Sequence, residues 1–187
     1  PDNVYGHGQV EALTAVEAAL FTAVVDSSAD SGAGSLRAAI VAVNAGGSIR
    51  DPRSGEVLAA PRADGSGFID LDAHLRRGEY WPRSGAEAED GADGEDPGPE
   101  NTTLAVVATN ARLTKAQASR LATVCHDGFA RTIWPAHGGG DGDVIFALAT
   151  GEIEVEMPGR GALEAMASRA VERAVLRGVR LATGLAG

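Results

Sequence analysis

The stretch that decides the fold lies in the second half of the chain, where residues 101–122 read NTTLAVVATNARLTKAQASRLA. Residues 102–109 are β-branched and apolar, which predicts a buried strand. Thr114 and Gln117 have the spacing of a capping box, so a helix should begin there and run to about Ala130. Its inward face should carry Ala118, Leu121, Ala122 and Cys125.

The flanking sequence predicts further strands and helices in alternation. Strands are predicted at residues 38–43, 56–60, 144–150 and 152–157. Helices are predicted at residues 9–25 and 161–181. The inward side of the last helix should carry Leu163, Met166, Ala167, Ala170, Val171, Ala174 and Val175. This interleaving indicates one α/β layered domain over residues 1–187.

Residues 84–100, SGAEAEDGADGEDPGPE, differ from the sequence on either side. They are acidic, rich in Gly and Pro, and lack any large apolar side chain, so they cannot bury enough surface to offset the entropy of ordering. We interpret them as a flexible acidic linker. The alternative, a calcium loop, requires a D-x-[DN]-x-[DN]-G spacing that is absent.

The charge balance excludes some classes of partner. With 16 Lys and Arg against 26 Asp and Glu, the formal net charge is -10. Nucleic acids and anionic membranes both require a basic surface, so neither is expected as a partner. The single cysteine, Cys125, cannot form an intrachain disulfide, which favours a reducing, cytoplasmic location.

No cofactor or metal site is expected from the sequence. His126 and His137 lack a third ligand at metal spacing, which makes a zinc site unfavourable. We therefore interpret both histidines as structural. Cys125 is interpreted as a small core residue, because adjacent side chains on a helix point in different directions and cannot form a dyad with His126.

The junction between the acidic linker and the strand could carry chemistry. A threonine hydroxyl at Thr102 can attack the carbonyl of Asn101, and the resulting ester can be hydrolysed by water. The freed α-amine, with a reference pKa of about 8, can then act as the base for the same hydroxyl. The plainer alternative is a linker that simply joins a β-branched strand.

A second polar segment precedes the strand at residues 144–150. Asp141 and Asp143 flank Gly142, so two carboxylates two residues apart can point toward one site. Such a pair could hold a protonated amine and orient a hydroxyl. The alternative is an ordinary polar turn, which Gly and Asp favour.

Four segments together resemble a known family: VAVNAGGSIRDPRSGEVLA at 41–59, the 101–122 stretch, HDGFAR at 126–131 and DGDVIFALATG at 141–151. From about residue 40 to the C-terminus the chain resembles the DmpA-like aminopeptidase family, which includes the nylon-oligomer hydrolases. These are self-processing amidohydrolases with an N-terminal nucleophile. The resemblance implies an αββα sandwich and hydrolysis of amide bonds in small peptides, amino-acid amides or oligoamides.

The resemblance also implies roles for individual residues. Cleavage between Asn101 and Thr102 would give an α-fragment of residues 1–101 and a β-fragment of residues 102–187, with Thr102 as the nucleophile. Asn44 would support the oxyanion, and Asp141 and Asp143 would supply the paired acidic positions. Family members usually form oligomers of processed heterodimers, so a homo-oligomer is expected.

The N-terminal part departs from the family pattern. The family has a longer region upstream of the Asn44 position, with a Gly-rich stretch and a lysine or other polar residue that joins the site. Here the only lysine is Lys115. The sandwich is therefore expected to be incomplete at its N-terminal side. The alternatives are acyl transfer of the ornithine-acetyltransferase type and a truncated, non-catalytic family member.

Overall fold

The computed structural model describes residues 36–62, 67–78, 101–138, 141–157 and 159–182. The predicted helix at 9–25 and the predicted linker at 84–100 lie outside these residues. The strands are β1 Leu36–Ala42, β2 Ser48–Arg50, β3 Val57–Ala59, β4 Leu104–Ala111, β5 Ile133–Trp134 and β6 Val144–Ile153. The helices are α1 Leu71–Arg76, α2 Lys115–Thr132 and α3 Gly159–Leu181.

The main sheet has the order β1-β4-β6. Strand β1 pairs antiparallel with β4, and β4 pairs parallel with β6. Leu104 lies opposite both Ala42 and Val144, so these registers align the three strands at one edge of the sheet. A smaller sheet has the order β3-β2-β5. The strands predicted at 38–43, 56–60, 102–109 and 144–150 correspond to β1, β3, β4 and β6.

Helix α2 begins as the sequence predicts. The Thr114 hydroxyl accepts from the Gln117 N–H at 3.3 Å, and the Gln117 side chain accepts from the Thr114 N–H at 2.8 Å. These two bonds satisfy backbone donors that the first helical turn leaves without partners. The helix ends at Thr132 rather than near Ala130, because the β-branched Ile133 continues in extended conformation as β5.

Helix α3 buries the predicted stripe with one exception. Leu163, Ala167, Ala170, Val171, Ala174 and Val175 are all buried. The prediction for Met166 is wrong, since this side chain is 50% exposed. At 3.6 residues per turn it lies roughly 100° around the helix from the centre of the stripe. Its apolar character alone therefore does not bring it into the core.

A separate strand at 152–157 is also a wrong prediction. Strand β6 runs to Ile153, whose partner Ala111 is the last residue of β4. Beyond that point β6 has no β4 backbone left to pair with, so residues 154–157 are not strand. A register shift separates the Thr109 and Ala111 pairs, and Gly151 has φ +80, a conformation that glycine adopts without strain.

The two long helices cover only one face of the main sheet. The core side carries Ala39, Val41, Ala105, Val107 and Ile145, all buried. The opposite side carries Ile40, Leu104, Phe146 and Leu148, which are 38–58% exposed. The predicted layering of helices on a mixed sheet is thus confirmed, with one helical layer and one main sheet in the described part of the chain.

Helices α2 and α3 pack closely where Gly128 meets α3. A Cβ at Gly128 would stand 2.7 Å from the Ser168 carbonyl oxygen and 2.8 Å from Val171 Cβ. Nearby on α3, the buried Glu172 is paired with Arg169 and lies 3.8 Å from Arg131 on α2. The helix interface therefore requires a residue without a side chain at position 128.

Among the described residues, no helix is both long and apolar enough to cross a bilayer.

We expect Gly128→Ala to lower the free energy of unfolding by about 1–3 kcal/mol, because the new methyl group forces the two helices apart. Alanine is otherwise favoured over glycine in a helix by about 1 kcal/mol. The matched control is Gly161→Ala in α3, where a Cβ would meet no atom within 4 Å. Urea unfolding should show a lower free energy of unfolding for Gly128→Ala and a higher one for Gly161→Ala. Equal effects would contradict the close packing at Gly128.

Candidate active site

The candidate site lies where the three strands of the main sheet share one edge. Continuing the Ala42–Leu104–Val144 alignment by two residues brings Asn44, Thr102 and Gly142 into one row. Nearby contacts support this alignment, since a Cβ at Gly46 would stand 3.1 Å from Asn101 Nδ2. The segments that the sequence predicted as functional therefore meet at one end of the sheet.

The alignment of β1 depends on a close contact with the smaller sheet. A Cβ at Gly47 would stand 2.3 Å from the Pro135 carbonyl oxygen and 2.7 Å from the Trp134 carbonyl carbon. Only glycine fits at this distance without displacing backbone. The loop that follows Asn44 is thus held against the segment that leads from β5 toward Asp141. Asn44 itself is half-buried and takes part in polar interactions.

Three hydrogen bonds extend the contact between β4 and β6 beyond the strands themselves. The Val144 N–H donates to the Thr103 carbonyl at 3.1 Å, and the Gly142 N–H donates to the Asn101 carbonyl at 3.4 Å. Between them, the Thr103 N–H donates to Asp143 Oδ1 at 2.8 Å. Of these three bonds, two are accepted by backbone carbonyls and the middle one by the Asp143 carboxylate. Charge-assisted bonds of this kind are stronger than those between neutral groups.

The Thr102 hydroxyl lies against Gly142. A Cβ at Gly142 would stand 2.7 Å from Thr102 Oγ1, so any other residue there would displace the hydroxyl. Because Asp141 and Asp143 flank this glycine, both carboxylates belong to the segment that faces Thr102. The sequence identified the two acids but not the reason for the glycine between them.

The electrostatics of Asp141 are unfavourable to its charged form. Its pKa is raised from 3.8 to about 6, first by burial, then by the hydrogen bond that the protonated acid donates to Asp143, and then by the negative charge of Asp143. The His137 N–H and the His137 side chain act in the opposite direction. Asp141 Oδ1 is buried and has no hydrogen-bond partner among the described residues. A perturbed acid of this kind is typical of functional sites.

His137 and His126 approach the acidic pair. The Asp143 side chain is 2% exposed, and its Oδ2 atom lies 3.2 Å from His137 Nδ1, an ion-pair distance without hydrogen-bond alignment. His137 Nε2 lies 3.4 Å from His126 Nδ1. The pKa of His126 is lowered, mainly by burial and then by His137, while Asp143 acts to raise it.

From the sequence alone, both histidines were interpreted as structural, with no part in the site. A signal was present, since His137 precedes Asp141 by four residues in a segment rich in glycine. His126, by contrast, reaches the site only through the folding of α2 against this loop. Among the described residues, no group of three His, Cys, Asp or Glu side chains could hold a metal ion.

Cys125 lies next to His126 in sequence but has a different environment. It is fully buried, and burial raises the pKa of its thiol to about 12. The thiol therefore stays protonated at neutral pH and is a poor nucleophile. Its interpretation as a small core residue is confirmed. Thr102 offers a hydroxyl near the acidic pair.

Comparison with known proteins finds a family model that matches most of the chain. A family model described as peptidase family S58 matches residues 27–187. An uncharacterized aminopeptidase of Mycobacterium tuberculosis is 44% identical over 102 residues, which are 48% of this chain and 29% of that protein. A 6-aminohexanoate-oligomer endohydrolase of Agromyces is 33% identical over 117 residues, which are 63% of this chain and 30% of that protein. The chain thus spans less than a third of these relatives' lengths.

Solved structures give a weaker likeness. The L-aminopeptidase D-Ala-esterase/amidase of Ochrobactrum anthropi is 19% identical, with a TM-score of 0.47, over 80% of this chain and 40% of that one. A β-aminopeptidase of Burkholderia is 20% identical, with a TM-score of 0.45, over 78% of this chain and 40% of that one. The match of the family model over residues 27–187 is decisive, and this chain belongs to peptidase family S58.

Proposed function

We propose that this chain is part of a self-processing amidohydrolase in which Thr102 is the N-terminal nucleophile. The observation that carries the proposal is the contact of the Thr102 hydroxyl with Gly142, between two carboxylates at the shared edge of the sheet. Family membership supports amide hydrolysis as the reaction class. The relatives are named as aminopeptidases and as an oligomer endohydrolase, which favours small peptides, amino-acid amides or oligoamides as substrates.

The processing step follows from the local chemistry. The Thr102 hydroxyl oxygen bonds to the Asn101 carbonyl carbon, the C–N bond breaks, and the hydroxyl proton passes to the leaving amine. Water then hydrolyses the ester, which leaves a carboxylate on Asn101 and a free α-amine on Thr102. The Gly142 N–H, which donates to the Asn101 carbonyl, is oriented to stabilise the negative charge that develops on that oxygen.

The same groups suit the later hydrolysis of a substrate. The new α-amine can take the proton of the Thr102 hydroxyl, and Asp141 and Asp143 can hold the resulting ammonium group. The Asn44 amide is a neutral donor that suits a developing oxyanion. Acyl transfer to an amine acceptor is less favoured, because the family is one of peptidases. Assembly into oligomers and a cytoplasmic location remain predictions.

A non-catalytic role is the second candidate, since the chain spans so little of its relatives. A panel of amino-acid p-nitroanilides, assayed with and without an amine acceptor, separates the three possibilities. Release of p-nitroaniline that the acceptor leaves unchanged supports the hydrolase. Acceleration by the acceptor, with an acylated product, supports acyl transfer. No release from any substrate supports the non-catalytic role.

We expect the purified chain to cleave itself between Asn101 and Thr102, giving fragments of 101 and 86 residues, because residues 1–101 and 102–187 make up the 187-residue chain. Thr102→Ala should stay intact, because no hydroxyl is left to attack. Thr102→Ser should still be cut, because its hydroxyl remains. Intact-mass spectrometry over several days gives the answer. Cleavage of the alanine variant at the same bond would exclude Thr102 as the nucleophile.

Asn44→Ala should slow substrate hydrolysis on the order of 100-fold, through loss of an oxyanion donor. Asn44→Asp has nearly the same size but replaces the amide with an acceptor, so it should lose as much activity. The measurement is kcat with the best p-nitroanilide substrate, alongside thermal melting. An aspartate variant with the activity of the wild type would show that Asn44 does not act as a donor.

Asp141→Asn should stabilise the fold at neutral pH while impairing hydrolysis. The pKa of Asp141 is higher in the folded protein than its ordinary value of 3.8, so the folded state prefers the protonated acid. The wild type therefore loses stability as the pH rises from about 4 through about 6. The gain in Tm of the variant should be largest above pH 6 and should vanish below pH 4. A gain that is independent of pH would contradict this origin.

A further inference from the structure

A continuous series of side chains connects helix α2 with the start of β4. His126 Nδ1 lies 3.4 Å from His137 Nε2, and His137 Nδ1 lies 3.2 Å from Asp143 Oδ2. The other oxygen of Asp143 accepts the Thr103 N–H at 2.8 Å. The series therefore ends on the peptide nitrogen that follows Thr102. The mechanism proposed above assigns no part to either histidine.

We propose that His137, supported by His126, is a positioning residue that holds the Asp143 carboxylate in its orientation, so that Asp143 fixes the backbone at Thr102 and Thr103. The effect on activity rests on the proposed function, whereas the series of contacts does not. His137 acts through Asp143 and does not itself touch the reacting atoms.

The burial of Asp143 requires such a partner. With 2% of its side chain exposed, the carboxylate has lost most of its hydration, and a buried charge without compensation is strongly unfavourable. The Thr103 N–H compensates one oxygen, and the His137 imidazole faces the other. Above its raised pKa, Asp141 on the same loop is negatively charged and cannot compensate the charge of Asp143. The His137 imidazole is the described side chain that faces this second oxygen.

The backbone at His137 supports a specific role. Its φ is +58, in the left-handed region that residues with a side chain rarely adopt. Such a conformation costs free energy and persists where surrounding structure requires it. Glycine or asparagine would fit this φ with less strain. Histidine at this position places its Nδ1 atom 3.2 Å from Asp143 Oδ2, whereas glycine would leave that oxygen without the imidazole.

His126 completes the arrangement from α2. Its ring packs edge-on against Phe129, with the two ring centroids 5.7 Å apart. Burial lowers the pKa of His126, which favours a neutral ring whose Nδ1 can accept a proton. His137 can then donate from Nε2 to His126 while Nδ1–H faces Asp143. Among the described residues, the charges that shift the pKa values of His126 and Asp141 belong to the cluster itself, which consists of His126, His137, Asp141 and Asp143.

The coupling can be measured without any catalytic activity. NMR titration of the His126 ring in the full chain reports the charges next to it. His137→Asn should raise the pKa of His126, because a like charge is removed. Asp143→Asn should lower it, because a stabilising negative charge is lost. His74→Asn, in α1, is the control and should leave it unchanged. A His126 titration that neither site variant moves would overturn the proposal.

Activity gives the second readout. His137→Asn and His137→Gly both fit the backbone at φ +58, so a fall in their Tm reports the lost partner of Asp143 and not backbone strain. Both should lose kcat on the order of 10–100-fold through misplacement of Thr102. The acid limb of their pH profiles should move to higher pH, because His137 no longer lowers the pKa of Asp141. Full activity and an unchanged pH profile in His137→Gly would overturn the proposal.

The two readouts separate the two proposals. Loss of all amide hydrolysis in the wild type, together with the expected shifts of His126, would reject the proposed function and keep the positioning contacts. Hydrolysis in the wild type, with no coupling between His126 and Asp143, would keep the proposed function and reject the positioning role of His137. A His126→Gln/His137→Asn double variant should lose no more activity than His137→Asn alone, since both act through Asp143.

Discussion

The hydrogen bond from the Thr103 N–H to Asp143 Oδ1 is the interaction on which the candidate site depends. It lies between two backbone bonds that join the segments leading into β4 and β6, and it connects residues 40 positions apart in sequence. Because the strands are parallel, the same register brings Thr102 beside Gly142. A shift of one residue would turn the Thr102 side chain to the other face of the sheet and separate it from the acidic pair.

The rest of the fold holds this edge in place. Helices α2 and α3 cover one face of the sheet, and they approach each other closely at Gly128. The loop after α2 then runs past Gly47, which keeps the end of β1 near the other two strand ends. The stability of the helix layer and the geometry at Thr102 are therefore linked through a few glycines at which no side chain fits.

Local signals in the sequence predicted much of this fold. The β-branched run at 102–109 and the capping box at Thr114 are short-range features, and both appear where expected. The prediction that Met166 is buried and the prediction of a strand at 152–157 were both wrong. Burial and strand pairing depend on where a partner element lies and where it ends. No periodicity in either segment carries that information. The structure also showed that β4 and β6 pair in parallel, which neither strand reveals by itself.

The site was predictable in its residue types but not in its contacts. The Asp-Gly-Asp segment and the Asn-Thr junction were visible, because each is contiguous in sequence. The relation of His126 to His137 was not, since one lies on a helix and the other in a loop with φ +58. The pKa of Asp141 likewise depends on burial and on neighbours that only the fold brings together. Family membership supports the proposed chemistry, whereas the structure gives the contacts at the candidate site.

Amide hydrogen exchange at Thr103 tests the central claim most directly, because this N–H exists both before and after any cleavage at Thr102. The account predicts slow exchange in the wild type and in Asp141→Asn, whose side chain does not accept from Thr103. Asp143→Ala should accelerate exchange at Thr103 much more than at Val107, in the centre of β4. Fast exchange at Thr103 in the wild type, or equal protection in Asp143→Ala, would contradict the account.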